Sequence, residues 1–101
     1  MSYRTRTEII SSILETANRG NGATKTKIKY GAFLSHSQME EYLTILTDNG
    51  LISYDLDRRT FKTTDKGHRL LQVYNELDTL MTEERAGLKQ EQQQQQQQIR
   101  L

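Results

Sequence analysis

Long cationic side chains are concentrated in the first part of the chain. Arg4 and Arg6 lie near its start, and Lys25, Lys27 and Lys29 alternate along a short stretch. From Arg19 to Ser35 there are four basic residues and no acidic one. The chemistry open to such a set is ion pairing with phosphate, which requires cations on long stems and no enclosed pocket. A solvated charged face is the plain alternative. Arg58, Arg59 and Lys62 form a second set, diluted by Asp55 and Asp57 just before it.

Other chemistries find little support. Cysteine is absent, which removes disulfides, thiolate metal sites and thiol nucleophiles. His36 and His68 are the only histidines, and the sequence offers neither of them a carboxylate at ligand spacing for a metal. No nucleophile elbow and no phosphate-cradling glycine loop is present; Gly20-Asn21-Gly22 reads as a helix stop. The expectation is no catalytic residue, no metal, no cofactor and no small-molecule substrate.

The chain has 101 residues, 34% of them hydrophobic, enough for one small domain and an extra helix. Its 14 Lys and Arg nearly balance 13 Asp and Glu, so net charge selects no partner. Distribution says more: residues 1–69 carry +3 and the remainder −2. No apolar run reaches the length of a signal-peptide core or a membrane span, so the expected setting is soluble and cytoplasmic, with no membrane partner.

Periodicity supplies the elements that must position these groups. Ile9, Ile10, Ile13, Leu14 and Ala17 follow helical spacing and stop at the Gly20-Asn21-Gly22 cluster. Thr24 is placed to cap a short second helix to about Ala32. Ser35, with Gln38 three positions on, makes a capping box for a third helix that carries Met39, Tyr42, Leu43 and Leu46 on one face and closes at Gly50. Leu51–Tyr54 and Thr60–Thr63 read as two short strands, and Thr64 as the cap of a long fourth helix. That helix bears a seam of Leu70, Val73, Tyr74, Leu77, Leu80, Met81 and Leu88, interrupted at Glu84, and the chain contains no proline to break it. Running to Gln90 it would span about 39 Å, more than a small domain can cover, so its second half should face another chain. Gln92–Gln98 is a low-complexity tract that cannot build a core.

Three helices, a strand pair and a long helix have the order of a helix-turn-helix with a wing. In that frame the third helix presents Ser37, Gln38, Glu41, Thr44 and Asp48 opposite its apolar face, with Ser35 and His36 at its start. Gln38 is suited to an adenine edge, and Ser37 or His36 to a phosphate or base. Glu40 and Glu41 oppose phosphate unless a cytosine amino group or a nearby cation occupies them. The wing arginines Arg58 and Arg59, with Lys62, could reach a minor groove or a flanking phosphate.

The stretch Thr24-Lys25-Thr26-Lys27-Ile28-Lys29-Tyr30-Gly31-Ala32-Phe33-Leu34-Ser35, with Gly50-Leu51-Ile52 and Phe61-Lys62-Thr63-Thr64-Asp65-Lys66-Gly67, resembles the small archaeal winged-helix DNA-binding proteins over roughly residues 5–81. The resemblance implies a mainly α fold with a small β-hairpin (α+β), and a C-terminal helix that pairs in an antiparallel coiled coil. It also implies a role as a chromatin protein or transcriptional regulator. The resulting expectation is a winged helix-turn-helix over residues 5–69, a dimerisation helix over 65–91 and a glutamine tail over 92–101. Its partners would be double-stranded DNA, through the residues above, and a second copy of itself. The alternative is a winged helix used only for protein interaction.

Overall fold

Thr5 opens the first helix, α1 (Arg6–Ala17), by accepting a hydrogen bond from the Glu8 amide at 3.1 Å, while the Glu8 carboxylate accepts one from the Thr5 amide at 2.9 Å. This reciprocal box satisfies two amides that the helix cannot. In this computed structural model, which describes residues 4–94 with side chains through Met81, five elements follow α1. They are α2 (Lys25–Gly31), α3 (His36–Asp48), β1 (Ile52–Asp55), β2 (Thr60–Thr63) and α4 (Asp65–Gln94). The observed α+β order is the expected one.

Caps set the starts as the sequence indicates. The Thr24 hydroxyl accepts from the Lys27 amide at 3.2 Å, and Ser35 forms the full box with Gln38. Thr64 accepts from the Gly67 amide at 3.1 Å and also donates to the Gly50 carbonyl, tying the start of α4 to the end of α3. Lys66 Nζ reinforces that junction by donating to the Asn49 carbonyl at 2.8 Å. Gly67 is needed there, because a Cβ would stand 2.2 Å from the Leu51 carbonyl oxygen.

The core gathers one face from each element: Ile13 and Leu14 of α1, Ile28 of α2, Met39, Leu43 and Leu46 of α3, Ile52 of β1 and Phe61 of β2. Burying each large aliphatic side chain contributes about 1.5–3 kcal/mol. β1 and β2 pair antiparallel with Ile52 opposite Thr63 and Asp55 opposite Thr60. Tertiary structure adds a third segment to this pair. Ala23 exchanges both backbone hydrogen bonds with Phe61, at 2.9 and 2.7 Å, so the segment between α1 and α2 lies against the wing. A one-residue bridge has no periodicity to read.

In α4 the residue that docks on the domain is Leu71, 6% exposed, which the expected seam omits. Tyr74, assigned to the seam, is half-buried and shares an apolar recess with Ile10, Leu14 and Leu71, so it belongs at least partly to the domain. Leu70, Val73, Leu77, Leu80 and Met81 remain exposed. Leu88 lies outside the described side chains. The helix takes in Gln92–Gln94, beyond the Gln90 end read from sequence, and the rest of the tail lies outside the described residues.

Candidate nucleic-acid interface

The turn between α2 and α3 brings Lys25 of one helix to Glu40 of the other, Nζ to Oε2 at 3.1 Å. The His36 Nε2 atom lies 3.7 Å from the same carboxylate oxygen. His36 and Glu40 are one helical turn apart, a spacing the sequence reading passed over. Among the described residues, however, no group of three or more histidine and acidic side chains is assembled for a metal. The pairing occupies Glu40 and part of the charge of Lys25, at side chains about half exposed (51% and 44%).

Lys27 and Lys29 have no carboxylate partner among the described residues. Lys27 is exposed, and Lys29 Nζ stands 5.8 Å from the centre of the Tyr30 ring. Beside them a groove opens between the end of α1, α2 and β2, lined by Arg19, Thr24, Thr26, Lys27, Tyr30 and Thr60, with no carboxylate in its walls. Arg19 and the two threonines were not singled out as site residues. Arg19 follows the helical pattern of α1, and only the fold returns it to the α2 cations.

The N-terminal arginines behave differently. The Arg4 guanidinium donates to the Ala32 carbonyl and, at 3.2 Å, to Ser12 Oγ. It thereby links the chain start, α1 and the end of α2. Arg6 lies 5.5 Å above the Tyr42 ring. Both cations are engaged with the protein itself, which spacing alone could not reveal.

On α3, Ser37, Gln38, Glu41, Thr44 and Asp48 are all exposed, as their spacing requires. Gln38 is only partly available, because its Oε1 accepts from the Ser35 amide at 3.0 Å and Ser35 Oγ accepts from the Gln38 amide at 3.1 Å. A bidentate adenine contact needs that amide oxygen. No Lys or Arg occurs anywhere on α3.

In the wing, Asp55 Oδ1 accepts from the amides of Asp57 and Arg58 at 3.0 and 3.2 Å, and Oδ2 lies 3.9 Å from Arg58 Nε. The aspartate thus pins the turn that the sequence left open, and Arg59 completes it at φ +54°. Arg59 and Lys62 are exposed, with no carboxylate partner among the described residues.

Comparison with known proteins bears on the fold. A solved structure, that of Sso10a-2, a DNA-binding protein from Sulfolobus solfataricus, is similar with a TM-score of 0.74 and 20% identity, over 94% of this chain and 100% of that one. At that identity the likeness shows the fold alone. No curated protein matches the sequence. Residues 3–82 match the model of the winged helix-turn-helix family, with the helix pair, the wing and the first turns of α4 inside the match. By that match the chain belongs to the winged helix-turn-helix family.

Proposed function

We propose that this chain is a non-enzymatic, homodimeric protein that binds double-stranded DNA, as a transcriptional regulator or a chromatin architect on the nucleoid of the cytoplasm. The observation that carries the reading is the carboxylate-free groove along α2 that holds Arg19 and Lys27, on a domain whose α3 also presents an exposed polar face. Phosphates are bound by such cations and hydroxyls, and the first helix of the motif crosses the DNA backbone. The similar archaeal protein is described as DNA-binding, which supports the same reading. No described helix is long and apolar enough to cross a membrane.

The dimer rests on α4. Val73, Leu77 and Leu80 are 58%, 56% and 61% exposed, on a helix of 30 residues that extends past its docking residue Leu71. A row of large apolar side chains left in water is the mark of an absent partner, and a second copy supplies an equivalent row. Light scattering should give twice the chain mass, and Leu77→Asp should give monomers, because the charge would be unpaired in an apolar seam. A monomeric wild type at tens of micromolar would overturn the dimer.

Duplex binding itself is tested by salt titration. A dimer neutralising on the order of six to ten phosphates should lose affinity steeply as salt rises. One observation favours the protein-interaction reading: α3 carries Glu40, Glu41 and Asp48 and no cation. A folded dimer that bound no duplex at about 50 mM salt would establish that alternative.

A further inference from the structure

α2 and α3 end in the same hydrogen-bonded motif with different residues at its centre. After α2, the Phe33 amide donates to the Tyr30 carbonyl and the Leu34 amide to the Lys29 carbonyl, at 3.3 and 2.9 Å. After α3, Gly50 donates to Thr47 and Leu51 to Leu46, at 3.0 and 2.9 Å. The central residue is left-handed in both, φ +55° at Phe33 and +71° at Gly50. Glycine or asparagine suits that conformation, whereas the Cβ of a phenylalanine crowds the backbone.

Burial does not repay the cost at Phe33, whose side chain is 83% exposed. The apolar contact this motif needs is already supplied by Leu34, 7% exposed in the core. An aromatic ring that the fold neither buries nor requires, held at a strained position, points to a use outside the fold.

We infer that Phe33 contacts the C5 methyl of a thymine in the major groove and gives duplex binding a preference for thymine at that position. The inference rests on the duplex-binding reading above. Phe33 stands two residues before Ser35, the cap of α3, at the helix end that meets base edges in a helix-turn-helix. No acidic residue occurs from Arg19 to Met39, so phosphates are not repelled from this turn. Several polar acceptors beside it are occupied: Gln38 Oε1 and Ser35 Oγ hold each other's amides, and Glu40 lies by His36. The apolar feature that base edges offer in the major groove is the thymine methyl.

The test uses the full-length protein, the variants Phe33→Asn and Phe33→Gly, and two A·T-rich duplexes that differ only in thymine or deoxyuridine. Wild type should bind the thymine duplex about fourfold more tightly for each methyl buried. Both variants should bind the two duplexes equally, keep the wild-type salt slope and melt no lower than wild type, since asparagine and glycine relieve the left-handed backbone. Equal wild-type binding to both duplexes, or discrimination retained by the variants, would overturn the inference and leave the ring to a protein surface. Absence of wild-type binding to either duplex would instead overturn the duplex-binding reading on which it rests.

Discussion

The two helices of the helix-turn-helix share their backbone design and differ in everything they show to solvent. Each starts at a hydroxyl cap, Thr24 or Ser35, and each closes through a left-handed residue. Yet α2 carries Lys25, Lys27 and Lys29 with no acid, and α3 carries Glu40, Glu41 and Asp48 with no Lys or Arg. The shared features answer to unsatisfied amides and carbonyls, which every helix has. The differing features answer to what each helix meets. On the proposed duplex-binding reading α2 supplies attraction to phosphate, while α3 adds repulsion that favours selective over indiscriminate binding.

The contrast is sharpest when the α2 cations are removed. Replacing Lys27 and Lys29 together by Ala should weaken binding to all duplexes alike, by roughly tenfold or more, and flatten the salt dependence. A loss confined to one sequence, read by fluorescence anisotropy over a salt series, would break the division of labour. Next in size are the caps, where the helices should behave alike. Thr24→Ala and Ser35→Ala should each cost about 1 kcal/mol, which lowers the melting midpoint by a few degrees in calorimetry. The Gln38 side chain accepts from the backbone amide of residue 35, which alanine keeps, so Gln38→Ala in the Ser35→Ala background should add a further loss of its own.

A smaller effect is expected on the acidic side. Glu41→Gln should tighten binding to duplexes of any sequence a few-fold if α3 lies in the groove, because it removes one like charge near phosphate. No change would mean that the face looks away from DNA. The smallest effect on stability belongs to the link between the helices. Glu40→Gln should change folding stability by less than about 1 kcal/mol, since the pair with Lys25 is exposed and screened. Freed from that pair, Lys25 should then add to the salt dependence of duplex binding.

Much of the frame was legible in the residues. The start of α3 followed from Ser35 and Gln38, that of α4 from Thr64, and the hairpin from the polar break at residues 55–59, because caps and turns are interactions over a few positions. Leu71 was missed because Leu70 and Leu71 both fit a helical stripe, and only the placement of α1 selects which one enters the core. The candidate site was read less completely. Lys27, Arg59 and the polar face of α3 are exposed as spacing implied, while Lys29 is half-buried. Arg4 and Arg6 instead close on Ala32, Ser12 and Tyr42, and Arg19 joins the α2 groove from the turn after α1.

The sequence alone therefore determined the order of elements, their caps and, for α1, α2 and α3, the apolar face and the side that meets solvent, since all of these rest on neighbours within about one turn. Tertiary structure alone decided which cations remain free, where α4 docks, that Ala23 extends the wing and that the ring of Phe33 stays outside the core. Those outcomes depend on residues far apart in the chain. Arg4 is 28 positions from the carbonyl it reaches, and Thr63 is 49 from the Leu14 carbonyl to which it donates. A side chain's own spacing carries no information about a partner at that distance, because packing of the whole core decides which groups meet.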